Sequence, residues 1–143
     1  MPIEKTPPLL QGGTEAEYIK YLQEEYRGKR VVIPEGPTVI FFLNSEDDCQ
    51  HFLCGKGKKN INPLRAQYLL FIRYILETKE IRQIKRHLVT GNIVFYCEEL
   101  SIVIICAEMK KGSDWRCFTY HPVNGHQKKE LLNPNKYIDI AFN

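Results

Sequence analysis

From Gly91 to Pro122 the chain keeps a two-residue rhythm through NIVFYC, SIVIICAEM and WRCFTYHP, with only Glu98-Glu99-Leu100 and KKGSD between the runs. Strand side chains alternate between faces, so three such runs joined by short polar turns predict an antiparallel three-stranded meander. Helical spacing dominates the earlier chain. Thr14 and Glu17 have capping-box spacing, and Tyr18, Ile19, Leu22 and Tyr26 then recur on one helical face as far as a stop at Gly28. VVIP, a turn at Gly36-Pro37 and TVIFFL predict two strands, the second buried on both faces.

Ser45 and Asp48 repeat the capping-box spacing and predict a short helix through His51 to Cys54, ended by Gly55. Asn62 and Pro63 open a further helix, whose inward stripe is Leu64, Tyr68, Phe71, Ile72 and Ile75. Glu77 to His87 is expected to continue as a second basic helix, broken near Thr78, with Ile81, Ile84 and Leu88 toward the core. Gly125 to Lys136 is a polar, proline-marked connection, and YIDIAF is a closing strand at the sheet edge. This order predicts an α+β fold, with helices packed on one face of a mostly antiparallel sheet and the meander at its C-terminal end.

A chain of 143 residues that is 43% hydrophobic and 26% charged has the size and balance of one ordinary globular domain. The proline- and glycine-marked residues 1–13 are expected to be an arm, and residues 14–143 a single domain. The longest apolar runs, TVIFFL and SIVIICA, fall far short of the roughly 20 residues a membrane-spanning helix needs, so no membrane association is expected. Five cysteines without a CxxC pair, and the absence of an apolar leader in MPIEKTPPLL, point to a reducing, cytoplasmic setting.

Charge is distributed unevenly. Lys56, Lys58, Lys59, Arg65, Arg73, Lys79, Arg82, Lys85 and Arg86 stand against Glu77 and Glu80, which leaves the central segment at about +7 while the whole chain is +3. In Gly55-Lys56-Gly57-Lys58-Lys59, two glycines free the backbone so that a phosphate can meet both ammonium groups and N–H donors. Arg65, Arg73, Arg82 and Lys85 also fit the wet face of a helix pair, and the lysine loop also fits a solvated turn.

Cys49, His51 and Cys54 are soft ligands at close spacing, but a structural zinc needs a fourth convergent donor and the spacing supplies no second pair. Cys106 and Cys117 fall in strand patterns and read as core thiols. Cys54 beside Lys56 is a candidate nucleophile, against the plainer reading of a small residue packed on a short helix. Metal-free phosphodiester cleavage asks for a base, cations around the phosphate and an acid for the leaving oxygen. His51 before the lysine loop, then Lys56, Lys58 and Arg65, then Thr119 and His121 at the end of the last meander strand, supply those types. Carboxylate pairs of the kind that hold magnesium are missing from this neighbourhood, so no metal or other cofactor is expected.

A histidine on a short helix, a basic Gly-Lys segment, the arginine helix RAQYLLFIRYILETKEI and three strands ending in WRCFTYHP together resemble the barnase/EndoU/colicin/RelE-like nuclease superfamily, particularly its phage-associated branches. The resemblance runs over about Asp48 to Pro122, with a nuclease-like core of about residues 45–122, and leaves Met1 to Leu43 outside it. It implies a metal-independent ribonuclease, often a toxin, with helices on a four-stranded antiparallel sheet and a 2′,3′-cyclic phosphate product. His51 would then be the base, Arg65 with Lys56 or Lys58 would hold the pentavalent phosphate, and Thr119 or His121 would assist the leaving group. Lys59 and Arg73 would add to phosphate binding. The expected partners are RNA, with tRNA among the candidates, and an antitoxin or immunity protein over the site. The rival expectation is a non-catalytic phage or bacterial binding module that holds nucleic acid or an acidic protein on the same basic surface.

Overall fold

Residues 15–43, 45, 48, 49, 52, 68–109 and 114–140 are described by a computed structural model of the chain. The first element, α1 (Glu15–Glu25), buries Tyr18 and Leu22, and Gly28 ends the segment with a φ of 70° that favours glycine. Just past α1, the buried hydroxyl of Tyr26 donates to the Leu69 carbonyl at 2.7 Å and accepts from the Arg73 backbone N–H at 3.3 Å. One side chain thereby fastens the first helix to the second, α2 (Ile72–Glu77), which follows a 3-10 turn at Tyr68–Phe71.

Among the described residues seven strands form one sheet: β1 (Arg30–Val32), β2 (Thr38–Ile40), β3 (Gln83–His87), β4 (Ile93–Cys97), β5 (Ile102–Glu108), β6 (Asp114–Pro122) and β7 (Tyr137–Asp139). Their order is β1-β2-β6-β5-β4-β3-β7, where the resemblance implies four strands. β4, β5 and β6 form the expected meander, and β7 lies at the edge against β3. All pairings are antiparallel except β2 with β6, so the β1–β2 hairpin is joined to the meander through one parallel seam. The α+β class and the mostly antiparallel sheet stand as read from the sequence.

The sheet buries both faces. On the inner face Phe95, Ile104, Cys106, Trp115 and Tyr120 meet Leu22 of α1 and Ile72, Ile75 and Leu76 of α2 in the main core. On the outer face Val94, Tyr96 and Val103 form a smaller cluster with Leu131 of α3 (Gly125–Leu131). Helices therefore contribute to both faces. α3 falls in the stretch expected to be a connection; its start is a capping box in which Asn124 and Gln127 each accept from the other's backbone N–H, at 2.8 and 2.9 Å.

The segment from Glu77 to His87 is not a second helix. A 3-10 turn at Lys79–Ile81 leads into β3, in which Ile84 pairs with Phe95 and faces the main core. Ile81, Ile84 and Leu88 also fit a helical period, but Thr78 ends α2 with extended dihedrals, and β4 on one side and β7 on the other supply ladder partners. Tertiary pairing overrides the helical pattern. Among the described residues no helix is long and apolar enough to cross a membrane.

Candidate nucleic-acid interface

The basic central segment divides on folding. Arg82, expected on a wet helical face, has a side chain only 1% exposed; it donates to the Ile75 and Leu76 carbonyls at 3.1 and 2.8 Å and grips both oxygens of Glu35. Burial works to raise the Glu35 pKa, but the Arg82 hydrogen bonds and charge outweigh it and leave the carboxyl below its ordinary value. The guanidinium also lies 5.3 Å from the Phe95 ring centroid, a cation–π distance. Lys85 is buried beside Asp139 at 2.8 Å, Arg86 pairs with Glu108, and Arg73, exposed on α2, pairs with Glu77 at 3.1 Å. Four of the cations counted in the sequence are thus engaged with carboxylates. His51, Lys56, Lys58, Lys59 and Arg65 lie outside the described residues, as does Cys54.

The expected cap of the short helix is present, since Ser45 Oγ accepts from the Asp48 N–H at 3.1 Å. Asp48, Cys49 and Phe52 have helical backbone. Cys49 is fully buried with its thiol toward the Leu43 carbonyl, and Phe52 packs on Tyr120 with ring centroids 4.9 Å apart and planes tilted by 49°. These contacts belong to the inner face. Thr119 and His121 lie on the outer one: they pair with Ile105 and Val103, both of the outer cluster, while Tyr120 between them pairs with Ile104 of the main core. The strand thus separates Thr119 and His121 from the face on which Phe52 packs.

Sequence reasoning picked out the end of β6 and missed what leads to it. Arg30 pairs with Ile40, and Ile40 with Arg116, so β1, β2 and β6 carry an Arg–Ile–Arg row at one level. Arg116 also pairs with Ala107, which is two residues from Ile105 and so shares the outer face. Both arginines are exposed, whereas Ile40 is buried between them. Two inter-strand spacings put their backbones about 10 Å apart. Arg30 makes one loose contact with Asp114 at 3.7 Å, and the Arg116 guanidinium lies 6.0 Å from the Phe118 ring. An i,i+2 arginine–phenylalanine pair in an alternating run was the available signal.

The register then slips. Cys106 pairs with Cys117 but Ile105 pairs with Thr119, which leaves Phe118 as the extra residue of a β-bulge. The bulge lets Phe118 and Thr119 succeed one another on the side where Arg116 lies, and His121 follows. Where β2 leaves β6, a recess of about 140 Å³ opens, lined by Phe42, Leu43, Asp48, Arg116, Cys117 and Phe118. Such a volume suits one planar group rather than a whole small-molecule ligand, whose pockets begin at about 300 Å³.

Nδ1 of His121 lies 2.8 Å from the Pro122 carbonyl. A carbonyl only accepts, so Nδ1 is the donor in this contact. Along β6, the backbones of Thr119 and His121 are about 7 Å apart. A second cleft, about 420 Å³, is lined by Glu80, Ile81, Arg82, Gln83, Tyr96, Glu98 and Glu99. Among these lining residues Arg82 is bound to Glu35 and Glu98 to Lys128, and Glu80 and Glu99 leave the cleft acidic and unsuited to phosphate. Among the described residues no group of three or more His, Cys, Asp or Glu is placed to hold a metal ion. Comparison of the chain with protein-family models, curated proteins and solved structures finds no match.

Proposed function

We propose that the chain holds RNA on the outer face of β1, β2 and β6. The observation that carries this reading is the pair of exposed arginines, Arg30 and Arg116, that flank buried Ile40 in one row, continued along β6 by half-buried Phe118, Thr119 and His121. Cations beside an aromatic ring on an open sheet are what an RNA strand requires: charge for phosphate and a flat surface for a base. The sequence between β5 and β6 adds Lys110 and Lys111, and the lysine-rich segment from Lys56 to Lys59 adds further cations. With Arg73, Arg82, Lys85 and Arg86 engaged elsewhere, the phosphate-directed role falls to these residues.

A second reading, metal-independent ribonuclease, is favoured by one observation: Thr119 and His121 share one face of β6, so a hydroxyl and an imidazole stand together on it. In that reading His51 is the base, Arg65 with Lys56 or Lys58 supports the phosphate, and an antitoxin or immunity protein would cover the site. A reducing, cytoplasmic setting fits five cysteines without a CxxC pair, of which Cys49, Cys97, Cys106 and Cys117 are buried in the core.

Incubation of the purified chain with tRNA and total RNA in EDTA separates the two readings. The expected result is intact RNA in a complex that weakens with salt, its slope in log Kd against log salt smaller by about 0.7 in Arg116→Ala. Fragments ending in cyclic phosphate that disappear in His121→Ala and His51→Ala would establish the nuclease instead. The absence of any complex or fragment would overturn both.

A further inference from the structure

Resting on the RNA reading, we infer that the β6 surface takes single-stranded RNA, and that one unpaired base seats against Phe118 in the recess between β2 and β6 while Arg30 and Arg116 hold the backbone. Three observations converge on this. The recess is small, about 140 Å³, and half-buried Phe42 and Phe118 are among its lining residues, so it offers apolar walls to a flat group. Its rim carries Arg116, whose guanidinium lies near the Phe118 ring at 6.0 Å and can meet either a phosphate or the face of a base. The β-bulge puts Phe118 on the side of the strand where Arg116 lies, so the ring and the cation share one face beside the recess.

Duplex RNA fits this surface poorly. In a helix the bases are stacked on one another and their faces are closed to protein, so a stacking recess has nothing to accept. The charge in reach is also modest, since Asp114 and Asp48 offset part of the two arginines. Charge alone would hold a duplex weakly, and stacking must supply the rest. Stacking of one base on an aromatic side chain corresponds to about 5- to 150-fold in affinity.

The test is fluorescence anisotropy with the full chain, a 12-nucleotide oligouridine and a 12-base-pair RNA duplex in the same buffer with EDTA. The single strand is expected to bind at least 10-fold more tightly. Phe118→Ala is expected to lose about 5- to 150-fold of that affinity, and Phe118→Tyr to retain it, with circular dichroism verifying that both variants fold. Equal binding of strand and duplex would overturn the inference and leave the RNA reading standing. A strand preference unchanged in Phe118→Ala would also overturn it, and a misfolded Phe118→Ala would pass the decision to Arg116→Ala, expected to weaken the strand more than the duplex. Failure of both RNAs to bind would overturn the RNA reading itself.

Discussion

At the scale of single residues, Arg82 is the side chain on which most of the structure converges. It ties the carbonyls at the end of α2, the ring of Phe95 and the carboxylate of Glu35 into one buried network. Arg82→Ala leaves those acceptors and the charge of Glu35 unpaired, and chemical denaturation is expected to show a loss of about 3–5 kcal/mol. The network also has a pH signature. Because the folded pKa of Glu35 lies below its ordinary value of 4.5, the unfolded chain takes up the proton more readily. The contribution is therefore complete above about pH 4.5 and is lost as the pH falls through the folded pKa. Melting temperature should decline over that acid range in the natural chain, and the part due to Glu35 should be absent in Glu35→Gln. Ser101 offers a change of opposite sign. It is exposed in the β4–β5 turn with a φ of 52°, and its hydroxyl makes only a long 3.5 Å contact with the Glu98 carbonyl. Ser101→Gly relieves the left-handed backbone and is expected to raise stability by about 0.5 kcal/mol, measured by urea titration.

Elements show where local pattern and tertiary context part. The meander and the edge strand were legible because alternation between faces leaves few other arrangements for NIVFYC, SIVIICAEM and WRCFTYHP, and because YIDIAF had a sheet to join. The segment Gln83–His87 was not, because its apolar positions fit both periods and only its neighbours decide between them. Lys85 reads as a surface lysine, yet its aliphatic stem lies buried while Asp139 of β7 accepts from its ammonium, a pairing 54 residues apart in sequence. The short helix α3 was concealed by its polar composition, although Asn124 and Gln127 carried the capping-box spacing in plain view. That cap has a measurable weight: Asn124→Ala removes the acceptor for the Gln127 N–H and is expected to cost about 1 kcal/mol, with faster amide exchange in the first turn of α3. The β-bulge at Phe118 had no signal in the sequence. An extra residue in a ladder is defined by the partner strand, here the step from Ile105 to Cys106.

For the molecule as a whole, folding redistributes charge that the sequence shows in one block. Arg82 goes into a buried ion pair, the buried stem of Lys85 carries its ammonium to the exposed carboxylate of Asp139, and Arg73 and Arg86 pair with carboxylates at the surface. Arg30 and Arg116, 86 positions apart in the numbering, are brought onto one outer surface by the parallel seam of β2 with β6. Lysine-rich stretches are conspicuous in a sequence, whereas a surface assembled from three strands appears only with the topology. The candidate roles for Thr119 and His121 gain neighbours in this way, and those neighbours are cationic and aromatic. The surface is tested most directly by photocrosslinking the intact chain to a 4-thiouridine-labelled single-stranded RNA and mapping the adducts by mass spectrometry. The proposed interface predicts adducts in the peptides spanning residues 29–43 and 114–122, reduced in Arg116→Ala. Adducts confined to α1 or to the α3–β7 segment would contradict it.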